Sequence, residues 1–200
     1  MRALLISLAA LWGAVAVTSA APAFAGPRPL PARLDFILLC KTSISEVAGR
    51  LGAGKATSLR GPWESVGQGW YHSTEQVYLL VYRFGDDRGV KGPPAAVAIT
   101  LATAGHLKAE QLTVGDLTRS RLSLMSLRGP NGIRLGDSKG AVSQALGAGQ
   151  LVDRRADVET YNHYLLYRYI RRTGCADEGF ILQATFTSGR LTRIHILEAS

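Results

Sequence analysis

Ser138 lies in Gly136-Asp137-Ser138-Lys139-Gly140, a match to the G-x-S-x-G pattern of a nucleophile elbow. That pattern serves acyl transfer. It needs a serine raised on a strand-to-helix turn, with a histidine and an acid elsewhere in the chain. Ser138 does open a predicted helix, but 200 residues are too few for the fold that carries the elbow. Helix capping accounts for the hydroxyl. Gly49-Arg50-Leu51-Gly52-Ala53-Gly54-Lys55-Ala56 nearly matches a phosphate-binding loop. It has Ala56 where a metal-binding hydroxyl is required, and its glycines end a helix instead of starting one. His72, His106, His163 and His195 make no paired metal-ligand spacing with each other or with a cysteine. Asp86-Asp87 follows Gly85 in a loop, where turn chemistry explains both carboxylates. No catalytic residue, metal or cofactor is assigned on these grounds.

Aromatic and basic residues on strands are the better lead. Alternation along Val77 to Phe84 puts Leu80, Tyr82 and Phe84 on one stripe and Leu79, Val81 and Arg83 on the other. Along His163 to Ile170, Leu165, Tyr167 and Tyr169 oppose Tyr164, Leu166 and Arg168. An arginine at the same place in both strands predicts that its stripe faces solvent. The exposed face would then offer Arg83, Arg168 and Tyr164, with Trp70 and Tyr71 from an adjoining loop. Arg, Tyr and Trp dominate binding hot spots.

The N-terminus bears on where such a surface works. Met1-Arg2 is a short basic start, Ala3 to Val17 is apolar, and Ala23-Phe24-Ala25 ends a run of small residues. That order reads as a secretory signal peptide over residues 1–25. Its apolar run falls short of the ~20 residues of a spanning helix. No cysteine stands near the cut to carry a lipid. Cleavage leaves 175 residues, with 22 basic against 15 acidic side chains, a net charge of +7. A periplasmic or secreted location disfavours nucleic acid and nucleotide cofactors as partners, and leaves contact with a membrane indirect. An envelope or secreted protein with an acidic surface suits the charge. The same compartment permits a disulfide between Cys40 and Cys175, and leaves the pairing open. With 46% hydrophobic residues the chain has the composition of a folded domain, which excludes disorder.

The elements that would position these residues recur. Leu51-Gly52-Ala53-Gly54 returns as Leu146-Gly147-Ala148-Gly149, and Leu80-Val81-Tyr82-Arg83-Phe84 as Leu165-Leu166-Tyr167-Arg168-Tyr169. Thr103-Ala104-Gly105-His106-Leu107 returns as Thr187-Ser188-Gly189-Arg190-Leu191. The order is kept at nearly constant offset, which marks an internal repeat. Residues 31–123 form the first copy and 124–200 the second. In each, a capped helix (Ser43 with Glu46; Asp137 or Ser138) ends at Gly52 or Gly147. Strands follow at Val77 to Phe84, Ala95 to Thr103, His163 to Ile170, Phe180 to Thr187 and Leu191 to Leu197. Leu107 to Leu112 reads equally as a strand or a helical turn. Arg60 to Ser73 reads as a loop inserted in the first copy.

Gly132-Ile133-Arg134-Leu135-Gly136-Asp137-Ser138, with Val142 and Leu146-Gly147, resembles the opening of the SmpA/OmlA (BamE) family. Phe186-Thr187-Ser188-Gly189-Arg190-Leu191 resembles a later strand of the same superfamily, which includes β-lactamase-inhibitory-protein-like tandem units. The resemblance covers Gly132 to Leu197 well and the first copy more loosely. It implies an α+β fold of two tandem helix-plus-antiparallel-sheet repeats, helices on one face of the sheet. It also implies a non-enzymatic protein-binding role, with inhibition of a secreted hydrolase such as a β-lactamase as the alternative. A small hydrolase using Ser138 is the remaining enzymatic alternative, and a purely structural envelope protein another. The chain departs from the family in having no lipobox cysteine and one cysteine per copy. Export predicts a mature N-terminus at Gly26. Intact mass and N-terminal sequencing of the protein recovered from the envelope check this, and an uncleaved Met1 terminus there would refute it.

Overall fold

A computed structural model describes residues 30–53, 59–60, 65–84, 95–165 and 179–198. In chain order the elements are β1 (Arg33–Leu34), β2 (Ile37–Leu38), α1 (Ile44–Leu51), β3 (Leu59–Arg60), β4 (Ser65–His72), β5 (Val77–Phe84) and β6 (Ala98–Thr103). There follow β7 (Thr118–Arg119), α2 (Lys139–Leu146), β8 (Gln150–Arg155), β9 (Val158–Leu165), β10 (Phe180–Thr187) and β11 (Arg190–Glu198). Apart from the small β1–β2 ribbon, the strands form one sheet in the order β3-β4-β5-β6-β11-β10-β9-β8. The short β7 runs parallel beside β4, which makes the sheet mixed.

This corrects the fold expected from sequence. Among the described residues the chain is mainly β, 45% strand against 19% helix, with one large mixed sheet in place of tandem helix-plus-sheet repeats. The two α-helices are eight residues each. The reason is local. Both helices start on a capping serine and end at glycines with positive φ, Gly52 and Gly147, so neither grows into a helical layer. Strand content also exceeds the expectation. The supposed loop over Arg60 to Ser73 contains β4, and an unexpected strand, β8, follows α2. Leu107 to Leu112 is not a strand but part of a turn-rich segment.

Two cores sandwich the centre of the sheet. On one face, Ile44, Val47 and Leu51 of α1 and Val142 of α2 pack with Leu79, Val81, Ile99, Leu101, Phe180, Leu182, Ala184, Ile194 and Ile196. On the other, Leu107, Leu112 and Leu117 pack over Tyr71, Tyr78, Leu80, Tyr82, Ala98 and Ala102. The residue ranges 31–123 and 124–200 meet where β6 pairs with β11, with Ile99 opposite Ile196 and Leu101 opposite Ile194.

The start of α1 shows why these residues fold locally as they do. Ser43 Oγ accepts the Glu46 N–H at 3.2 Å, and the Glu46 carboxylate accepts the Ser43 N–H at 2.7 Å. This reciprocal cap satisfies two otherwise orphaned donors. Leu182 is fully buried at the middle of β10, between β9 and β11. Leu182→Ala is expected to cost about 2–5 kcal/mol by leaving a cavity there. Urea denaturation measures it, and a loss below about 1 kcal/mol would contradict this packing.

Candidate functional site

Strand alternation decides where each expected interface residue lies, and β5 reverses the expectation. Leu79 and Val81 pack into the helix-side core, and Tyr78, Leu80 and Tyr82 into the opposite one. Arg83, which shares the stripe of Leu79 and Val81, is half-buried on the helix side and not on an open face. Trp70 is completely buried on that side too, its Nε1–H donating to Gly52 O at 3.1 Å. Tyr71 is on the far face but is only 7% exposed, in the cluster that Leu107 and Leu117 close. Tyr164 alone of the described interface residues stays open, at 54% exposure. Arg168 and Cys175 lie outside the described residues, as do residues 1–25, Asp86-Asp87 and the Gly54-Lys55-Ala56 end of the near-match loop. Cys40 is disulfide-bonded.

The face opposite the helices therefore has two halves. The first, over β4, β5 and β6, is closed by the segment from Ala104 to Leu117. Two polar contacts hold that segment down. Arg193 Nη2 donates to Glu110 Oε1 at 2.8 Å, and His106 Nε2 meets Thr192 Oγ1 at 3.0 Å. Burial pushes the Tyr78 and Tyr82 phenols beneath it upward, with Glu110 adding to the shift. The second half, over β8 to β10, carries uncharged hydrogen-bonding side chains in register. Thr160 stands opposite Thr185, Asn162 opposite Gln183, and Tyr164 opposite Ile181. Thr160 and Thr185 hydroxyls are 3.1 Å apart, and Tyr164 OH donates to Gln150 Oε1 at 3.4 Å. Asn162 Oδ1 is buried without a partner. At the sheet edge, every residue of β8 is exposed.

The remaining chemistry-bearing residues resolve into structural roles. Ser138 Oγ accepts the Ala141 N–H at 3.2 Å as the α2 cap. It lines a cleft of about 560 Å³ with Arg134, Asp137, Arg190 and Met125, and no histidine borders that cleft. His72 Nδ1 is 3.4 Å from Glu75. The Glu75 carboxylate also accepts the Ser123 hydroxyl and the Leu124 and Met125 N–H groups, clasping the 123–126 loop to the β4–β5 turn. Burial works to raise the Glu75 pKa, but the Ser123 and Met125 hydrogen bonds outweigh it and hold the carboxyl below its usual range. Among the described residues no group of three His, Cys, Asp or Glu could hold a metal.

Sequence reasoning missed one cluster. Glu159 on β9 accepts from Lys139 Nζ at 2.7 Å, from Arg154 Nη2 at 2.7 Å and from Tyr161 OH at 3.1 Å. Lys139 also lies 4.5 Å from the Tyr161 ring centroid. His163, two residues on along the same stripe, is 5% exposed. The alternation Glu159-Tyr161-His163 was the available signal. It went unread because β9 begins at Val158, five residues before the expected strand start.

Comparison with known protein families, curated proteins and solved structures finds no match to this chain. The resemblance to the SmpA/OmlA (BamE) family rests on the motif residues alone.

Three histidines make the fold acid-sensitive. Burial lowers the pKa of His106, His163 and His195, and the Arg193 charge lowers His106 and His195 further, His195 to about 3. Each is neutral when folded and gains a proton near 6.5 when unfolded, so the unfolded chain binds more protons below that pH. Stability is therefore complete above pH 6.5 and falls as pH drops toward 3, with His195 contributing about 1.4 kcal/mol per pH unit. Carboxylates such as Glu75 add their loss only at lower pH, below the ordinary 4.5. Denaturation midpoints measured across this range check the slope, and His195→Gln should flatten it. A flat profile between pH 6.5 and the carboxylate range would refute the assignment.

Proposed function

We propose that the chain is a non-enzymatic, exported protein-binding module that engages its partner through the open half of the sheet, over β8 to β10. The observation that carries this reading is Tyr164, more than half exposed on a rigid antiparallel strand while the other half of the same face is covered. A tyrosine offers large contact area at low entropic cost, with a hydroxyl for orientation. Around it, Gln150, Thr160, Asn162 and Gln183 supply neutral hydrogen-bonding groups. Arg155, opposite Val158 on the edge strand, stands at the margin of the surface, and with the net charge of +7 it suits a partner with an acidic rim. The reading needs no cofactor and no nucleic acid. Its location in the periplasm or outside the cell follows from the leader sequence.

The test uses the mature protein, immobilised and exposed to envelope extract, with captured partners identified and their affinities measured. Tyr164→Ala should weaken a specific partner by ~30-fold or more, as expected for a hot spot of about 2 kcal/mol. Gln183→Arg, which places a charge on the open half, should do the same. Leu122→Ser, at an exposed site off this face, should leave binding intact. Retention of every partner by the Tyr164 and Gln183 variants would refute the surface.

A further inference from the structure

Behind the proposed binding face, on the helix side of β9, is a cavity of about 190 Å³. Its lining is Lys139 and Ser143 of α2, Ala148 and Gly149 after the helix, Tyr161 and His163 of β9, and Phe186 of β10. The walls are aromatic, with the Tyr161 and Phe186 rings packed edge to face at 5.9 Å between centroids. The polar groups gather on the remaining sides. His163 is almost fully buried, and its Nδ1 has no hydrogen-bond partner. Its ring is set against backbone, since a Cβ at Gly149 would come within 2.7 Å of both Cε1 and Nε2. A larger residue at position 149 would take the space that the ring and cavity use.

The charge at the rim favours an anion. Two cations, Lys139 and Arg154, meet one carboxylate, Glu159. That carboxylate is already engaged by Lys139, Arg154 and Tyr161. What remains to face a ligand is the Lys139 N–H not given to Glu159, the Ser143 hydroxyl, and the unpartnered Nδ1 of the neutral His163 imidazole, a donor in its Nδ1–H tautomer. A cation would find no open acceptor charge here, and a wholly apolar guest would leave the His163 nitrogen unsatisfied.

We infer that this cavity binds a small monocarboxylate with an apolar body. The carboxylate accepts from Lys139 and His163, and the apolar part lies against Tyr161 and Phe186. The site is separate from the Tyr164 surface, because alternation sends Tyr161 and His163 to one side of β9 and Asn162 and Tyr164 to the other.

Benzoate and propionate are the probes, with benzylamine and benzyl alcohol as charge controls, titrated into the mature protein. Binding is read by calorimetry and by the His163 imidazole signals in nitrogen-detected NMR. The expected result is saturable binding of the carboxylates in the millimolar range or tighter, with the His163 signals moving. Gly149→Ala should weaken benzoate by ~10-fold or more. Lys139→Met, at a partly exposed first-turn position, should do so without altering the circular dichroism, which keeps the test valid if the glycine variant fails to fold. Equal binding of the amine or the alcohol would overturn the carboxylate assignment. Unmoved His163 signals at saturating probe, or full affinity in a folded Lys139→Met, would overturn the site.

Discussion

The pairing of β6 with β11 is the constraint on which the molecule depends. Among the described residues four pairs, from Ile99 opposite Ile196 to Ala102 opposite Arg193, join the two halves of the chain into one sheet. Once joined, the strands nearest the seam cannot keep a wet face. The helices and their core occupy one side, and the segment Ala104–Leu117 occupies the other. Strands buried on both faces read as near-continuous apolar runs, and β5 does so, as Val77-Tyr78-Leu79-Leu80-Val81-Tyr82. The apolar material is spent at the seam. The far edge of the sheet is left with β8, exposed along its whole length, and a polar open half beside it.

That distribution explains what could be read from sequence and what could not. The caps are local: Ser43 with Glu46 places the first helix start, and of the two candidates for the second, Asp137 and Ser138, the structure uses Ser138. Strands β5, β10 and β11 announced themselves through apolar content. The facing of β5 was not legible. Arg83 suggests a solvent-facing stripe, whereas burial of both stripes depends on the later segment Ala104–Leu117, which folds back over the sheet. Strand β4 was hidden by its glycines. At Gly67 a Cβ would sit 2.8 Å from Tyr82 Cδ1, so the residue that suggested a loop is there because a cross-strand ring lies over it. Strand β8 offers no alternation at all, because neither of its faces is buried.

Polar residues inside this fold hold parts together that the apolar contacts alone leave loose. Glu75 ties the 123–126 loop to the β4–β5 turn through three donors. The Arg193–Glu110 pair and the His106–Thr192 contact hold the covering segment to β11. His195 meets Thr100 Oγ1 at 2.7 Å across the seam itself. These contacts cross long stretches of sequence, so their residue types carried no local pattern. His106 and His195 sit where burial opposes their charge, which is why contacts that position the cover and cross the seam also make them sensitive to acid.

The strand β9 shows how one element can serve two surfaces without confusing them. Its period of two sends Thr160, Asn162 and Tyr164 toward the open half, and Glu159, Tyr161 and His163 toward α2. A strand hydrogen-bonded on both sides, to β8 and to β10, cannot slip by one residue without exchanging the two sets and breaking two ladders at once. Register therefore does the sorting. The polar open half and the cation-rimmed cavity stay on fixed, opposite sides, a few ångströms apart through the sheet. A substitution that alters one side chain set leaves the other in place as long as the ladders persist. The surface centred on Tyr164 and the cavity beside His163 are for that reason separable sites on a shared scaffold.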